Sequence, residues 1–287
     1  KFLNLKMFYI CTKFLNNRPF SILRMKRELT YTLVAIFCFL SLAKAQRHEV
    51  GIQMGMSNLV GDIGSTNYVL QKPVGNISDY GLPFYAGIMY RMNFNPYQTI
   101  RLNVGYNNIQ FNDNYAKENY RRARKLSGTN SVVSADLVFE YNFLPVNEEQ
   151  VSMISPYIFG GVSGFYMNTV KAHLNVNTYG TQVVYSNDKA FTLGIPFGVG
   201  LKYKFNYNWA LSGEFTFRPT FSDQVDYSML KDGDITVKSL LPTGDTAAAV
   251  QAFKDQRNVG NLNSKDWINS ATIILSYSFG RPPCYCK

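Results

Sequence analysis

Ser270-Ala271-Thr272-Ile273-Ile274-Leu275-Ser276-Tyr277-Ser278-Phe279 changes surface character at almost every step. Successive side chains of an extended chain point to opposite faces. Ala271, Ile273, Leu275, Tyr277 and Phe279 therefore share one face, and Ser270, Thr272, Ser276 and Ser278, with Ile274, share the other. One face suits hydrocarbon, with Tyr277 and Phe279 placed where an interfacial aromatic belt is expected, and the other suits a polar interior.

The same period of two recurs upstream. Trp209, Leu211, Gly213, Phe215 and Phe217 oppose Ser212, Glu214, Thr216 and Arg218; Val133, Ala135, Leu137, Phe139, Tyr141 and Phe143 oppose Ser134, Asp136, Glu140 and Asn142. Leu193, Ile195, Phe197, Val199, Leu201, Tyr203 and Phe205 oppose Lys202 and Lys204 among small residues. Three earlier segments carry Val50/Ile52/Met54/Met56, Phe84/Ala86/Ile88/Tyr90/Met92 and Ile100/Leu102/Val104/Tyr106 on the apolar face. An eighth segment, 154–168, has faces blurred by Gly160, Gly161 and Gly164. Pro196 removes a ladder donor, which predicts a bulge or kink in its strand.

The connections lie at 58–81, 95–98, 113–129, 144–153, 169–190, 206–208 and 223–265, long and short in strict alternation. A soluble sandwich has no reason to sort its loops by parity. A membrane barrel does, because its turns on the periplasmic side are short and its outer loops long. The expected fold is all-β: an eight-stranded antiparallel transmembrane β-barrel with long outer loops and short periplasmic turns, in the bacterial outer membrane, with N- and C-termini periplasmic. No helical periodicity of useful length interrupts it.

The N-terminal stretch agrees on compartment. Met25-Lys26-Arg27 opens a basic segment, 33–42 is apolar, and Ala43-Lys44-Ala45 offers small residues for cleavage, leaving Gln46 first. The expected organisation is an upstream artefact at 1–24, a signal peptide at 25–45, the barrel at 46–279 and a periplasmic tail at 280–287. Cys38 lacks the small-residue setting of a lipid-attachment site, so no lipid anchor is expected. Residues 1–45 hold eight Lys and Arg against Glu28, which is seven of the chain's +10 and leaves +3 for the remainder. A basic pI that would otherwise suggest nucleic-acid binding belongs largely to the targeting segment.

The inward faces carry Glu49, Asp136, Glu140 and Glu214 against Arg91, Arg101, Lys202, Lys204 and Arg218. Eight strands enclose a space just wide enough for side chains to fill, and unpaired buried charge is costly. Two readings follow: a lumen plugged by ion pairs, or a narrow ion-conducting pore.

Enzyme chemistry has little to build on, and no cofactor or metal is expected. The two histidines, His48 and His173, fall in the first strand and in an outer loop, without nucleophile motifs or metal-ligand spacing. Asp223, Asp226, Asp232 and Asp234 are the carboxylates a loop-borne enzyme would use; otherwise they are solvated loop acids. Lys117, Arg121, Arg122, Arg124 and Lys125 form either a glycolipid contact or a charged loop tip.

Gly280-Arg281-Pro282-Pro283-Cys284-Tyr285-Cys286-Lys287 continues past the final aromatic residue, and its two prolines stop the strand. Cys284 and Cys286 are the only cysteines beyond the signal segment. In an oxidising periplasm they form a local bridge, remain a reduced pair, or bond to a partner protein.

His48-Glu49-Val50-Gly51-Ile52, Ser57-Asn58-Leu59-Val60-Gly61-Asp62-Ile63, Pro156-Tyr157-Ile158-Phe159-Gly160-Gly161-Val162, Gly198-Val199-Gly200-Leu201-Lys202-Tyr203 and Thr220-Phe221-Ser222-Asp223-Gln224-Val225-Asp226-Tyr227 resemble the PorG-like outer-membrane β-barrel family of the type IX secretion system. The resemblance runs across most of the chain after the signal segment and departs from the family pattern at Gln224-Val225. It implies a non-enzymatic accessory barrel, not itself the protein channel, that anchors or organises a periplasmic ring built from the PorK lipoprotein and PorN. The alternative is a small porin-like or surface-adhesin barrel.

Overall fold

In the computed structural model, the described residues are 47–68, 81–147, 152–177, 180–239, 246–261 and 264–280. The expected upstream stretch and signal peptide, 1–45, and both tail cysteines lie outside them. Ten strands form one sheet: β1 (Arg47–Val60), β2 (Phe84–Asn93), β3 (Gln98–Asn112), β4 (Ser127–Asn142), β5 (Met153–Asn177), β6 (Gly180–Gly194), β7 (Phe197–Lys204), β8 (Trp209–Phe217), β9 (Ile235–Ser239) and β10 (Trp267–Phe279).

The sheet closes on itself. β1 pairs antiparallel with β2 on one side and with β10 on the other, running from His48 opposite Phe279 to Val60 opposite Trp267. The ring continues through β3, β4 and β5, and returns to β10 through β7 and β8. β6 and β7 are two pieces of one wall strand, so eight staves form the barrel. Closure leaves no lipid-exposed edge with unpaired backbone, the condition for sheet structure in hydrocarbon.

Pro196 interrupts the wall between β6 and β7 without adding a residue. Gly160 opposite Phe197 and Ser163 opposite Gly194 keep one register. The Gly161 amide donates to the Pro196 carbonyl at 2.9 Å and the Ile195 amide to the Pro219 carbonyl at 3.1 Å. Of the expected bulge or kink, the bulge is absent: the strand breaks at Pro196 with pairing preserved on both sides.

Sidedness follows the alternation. Ile52, Met54, Ile88, Leu137, Val162, Leu193, Ile273 and their same-face neighbours are exposed, and the opposite faces are buried. The blurred segment resolves with Tyr157, Phe159, Ser163, Phe165 and Met167 inside and Ile158, Val162 and Tyr166 outside. At the short-turn end Trp209 meets Tyr277 at 5.1 Å between ring centroids, and His48 stacks between Tyr90 and Phe279. These rings form the interfacial girdle.

Two expectations about the long loops need correction. Residues 169–190 are not a loop: β5 and β6 continue as a hairpin, paired from Ser163 opposite Gly194 to Asn177 opposite Gly180. Helices also occur, a short α1 (Asn119–Arg124) and a longer α2 (Thr246–Arg257). The Thr246-Ala-Ala-Ala-Val run has strong helix formers but no wide apolar stripe, so periodicity did not reveal it. α2 covers the protruding sheet, where Ala172 and Leu174 of β5 pack with Leu230 and Ile235 against Val250 and Phe253.

Candidate functional site

The inward faces bring almost all of the interior charges into contact. Lys202 Nζ lies 2.6 Å from Glu49, whose other oxygen is 3.4 Å from Arg91. Arg91 also reaches Glu140 at 3.1 Å, Arg101 reaches the same carboxylate at 3.2 Å, and Arg101 grips Glu214 with two donors at 2.6 and 2.9 Å. Tyr157 donates to Glu214 at 2.9 Å, and the Arg101 guanidinium lies over the Phe159 ring at 4.6 Å. One layer towards the long loops, Arg218 binds Asp136 at 3.1 Å and Ser270 at 2.7 Å.

Four carboxylates thus face four cations, and the side chains of all eight are at most 3% exposed. Buried ion pairs persist when geometry is good and other hydrogen bonds satisfy the remaining atoms. Lys204, two residues nearer the short turn, is buried on the same face with contacts of its own.

Above the charged layers the lumen becomes apolar. Leu59, Ile63, Ile109, Phe111, Val132, Phe165, Met167 and Ile268 surround Val225, which descends from the loop after β8. Asn130 donates to the Val225 carbonyl at 2.8 Å and ties that loop to the wall. The barrel mouth is therefore stoppered by its own loop.

Aspartates fasten this stopper. Asp226 accepts from the Ile63 amide at 2.8 Å and the Ser228 amide at 2.9 Å; Asp266 accepts from the Val225 amide at 2.9 Å; Asp62 accepts from the Asn261 amide at 3.1 Å. Asp223 and Asp226 are buried, which corrects their reading as solvated loop acids. Asp232 remains an exposed acid paired to Lys254, and Asp234 accepts from Gln224 at 2.6 Å and from the Lys231 amide. A Cβ on Gly61 would sit 2.6 Å from Asp266 Oδ1 and 2.7 Å from Asp226 Oδ2, so only glycine fits between the two carboxylates.

The basic cluster is a clamp. Arg121 donates to the carbonyls of Gly61 and Gly64 at 3.0 and 3.1 Å, and Arg124 binds Asp113 at 3.1 Å and the Asp62 carbonyl at 2.8 Å. Arg122 turns back to the Ala116 and Lys117 carbonyls, while Lys117 and Lys125 stay exposed. Of the guanidiniums expected at a glycolipid or a loop tip, Arg121 and Arg124 join the β1–β2 and β3–β4 loops, and Arg122 binds within its own loop. Asp62, Asp113 and Asp266 were not singled out from the sequence, because each needs a partner distant in the chain.

Burial raises Asp223, Asp226 and Asp266. It pushes Asp223 up to about 6, helped by the charges of Asp62 and Asp226 and opposed by Lys265. Burial likewise raises Asp226, and raises Asp266 strongly, with the Asp226 charge adding to the latter. Their unfolded values lie near 4. The clasp's contribution is therefore complete below a pH of about 4 and is lost as pH rises through the folded values. Amide protection at Ile63, Val225 and Ser228, corrected for intrinsic exchange, should be higher at pH 4.5 than at pH 8. Asp266→Asn should flatten that difference; equal protection at both pH values would contradict it.

Among the described residues no three His, Cys, Asp or Glu side chains form a group able to hold a metal ion. His173 meets Ser186 at 3.0 Å in the protruding hairpin, far in sequence from His48 in the girdle.

A family model described as a domain of unknown function (DUF6089) matches residues 26–287. The chain belongs to this family. Comparison with curated proteins gives no match. Among solved structures this DUF6089 chain is similar to Ail, the attachment invasion locus protein of Yersinia pestis, at 12% identity and a TM-score of 0.39, over 82% of this chain and 99% of that one. It is similar to a major outer membrane protein from Thermus thermophilus at 16% identity and a TM-score of 0.39, over 82% and 100%. A third likeness is to the outer membrane protein OprG from Pseudomonas aeruginosa, at 10% identity and a TM-score of 0.35, over 83% and 97%.

Proposed function

We propose that this DUF6089 barrel is a non-enzymatic scaffold of the type IX protein secretion system, anchoring or organising a periplasmic ring at the outer membrane. The observation that carries the scaffold reading is the filled lumen: ion-paired layers below and the Val225 stopper above leave the barrel closed, so its use lies in position rather than transport. The type IX assignment comes from the resemblance of the strand and loop segments quoted above. In that reading the short turns and both termini face the periplasm, the long loops face outward, and the partners are the PorK lipoprotein and PorN. Cys284 and Cys286 offer a covalent route to such a partner from the C-terminal tail.

Deleting the gene should abolish type IX secretion, with restoration by the intact gene; normal secretion in the deletion strain would overturn the proposal. Non-reducing gels of tagged protein from native outer membranes test the covalent route. A heavier band containing a ring protein, lost with reductant and in Cys284→Ser/Cys286→Ser, supports it; monomer alone removes the covalent link and leaves the secretion reading to the deletion test.

A further inference from the structure

The hairpin of β5 and β6 has unequal edges above the barrel. Beside β5, β9 pairs in parallel from Ala172 opposite Ile235 to Val176 opposite Ser239. Beside β6, from Thr181 to Ala190, no strand lies on the outer edge among the described residues; pairing on that side begins at Gly194 opposite Thr220.

The cover over the hairpin also stops one strand short. Ala172 and Leu174 are buried beneath α2 and Leu230. Their partners across the ladder, Tyr185 and Val183, are 52% and 36% exposed, and Val184 on the opposite face is 53% exposed. Gln182-Val183-Val184-Tyr185-Ser186-Asn187 has no charge, proline or glycine. Asp188, next along, is held by Lys171 across the ladder at 2.6 Å. Edge strands are normally blunted by charge, proline, a bulge or a covering loop, and among the described residues none of these falls at 182–187.

We propose that the outer edge of β6 is a docking site for an extended, uncharged β-forming segment of a different polypeptide, which adds a strand by backbone pairing. An edge is complementary to another extended backbone, with alternate side chains supplying selectivity. Val183, Val184 and Tyr185 ask for β-branched or aromatic cross-strand neighbours, and the uncharged run offers no counter-ion to a charged segment. A second copy in the same membrane fits poorly. Every copy's β6 descends into its barrel wall in the same sense, so two such edges could meet only in parallel, the less stable ladder per residue. The proposal does not depend on the secretion reading.

The test uses the full chain refolded in lipid nanodiscs and a fluorescent, uncharged, alternating Thr/Val octapeptide, with empty nanodiscs as blank. Saturable binding is expected, together with slowed amide exchange within 181–190. Alternate N-methylation of the peptide, Val184→Lys, or Tyr185→Lys should each weaken binding about tenfold or more, roughly 1.4 kcal/mol, while the variants keep the barrel's heat-modifiable mobility. Absence of binding, or binding indifferent to N-methylation, overturns the proposal. So does protection of every amide from 182 to 187 in the free protein, which signals an edge filled by another part of this chain if independent of concentration, or by a second copy if it grows with concentration.

Discussion

Arg101→Ala is expected to destabilise the barrel by about 3–5 kcal/mol, the cost of leaving a buried ion without its partner. Arg101 has the most demanding position in the lumen. It spans Glu140 and Glu214, and its own side chain is 0% exposed. Removing it leaves two carboxylates facing each other, with Arg91 near Glu140 and the Tyr157 and Thr216 hydroxyls donating to Glu214. Arg101→Lys should recover only part of the loss, because a compact ammonium cannot reproduce the planar two-donor grip on Glu214. Urea unfolding of refolded protein in detergent micelles, read by heat-modifiable gel mobility, measures the difference. A loss below about 1 kcal/mol would mean that the pairs contribute as little as exposed ones do.

Gly200→Val is expected to cost about 1–3 kcal/mol through overpacking. A Cβ at Gly200 would lie 2.3, 2.5 and 2.7 Å from Cζ, Oη and Cε1 of Tyr157. That ring is fully buried and cannot retreat without giving up its hydrogen bond to Glu214, so the damage spreads into the charge network. Gly213→Val is the matched comparison. Gly213 is in the neighbouring strand with nothing within 4 Å of its Cβ position, on the lipid-facing side, and should change stability by less than about 0.5 kcal/mol. Equal effects at the two glycines would show that loss of backbone freedom, not the Tyr157 contact, dominates.

The barrel was legible because its two solvents impose one rule on every stave. Ala271 to Phe279 and Trp209 to Phe217 announce lipid and lumen by simple alternation, and loop parity orders the staves. Arg91, Arg101, Glu140 and Glu214 were identifiable as interior for the same reason, although their partners were not: pairing depends on which rotamers meet across the lumen. The mouth was opaque. Asp226 binds Ile63, Arg121 binds Gly61, and Val225 packs on Ile268, contacts that join segments widely separated in the chain and leave no period behind. Residues 170–177 do alternate, Val170, Ala172, Leu174 and Val176 against Lys171, His173, Asn175 and Asn177, but out of phase with the stave below: above Thr169 the buried face switches to Ala172 and Leu174 under α2.

The ion-paired layers and the Val225 stopper close the lumen with the protein's own side chains. Planar-bilayer recording with purified, refolded full-length protein tests this closure most directly. A silent bilayer is predicted across the voltage range that the membrane tolerates. Reproducible conductance steps in the wild-type protein, altered in size by Arg101→Ala or Glu214→Ala, would place the ion path through that network and contradict the account.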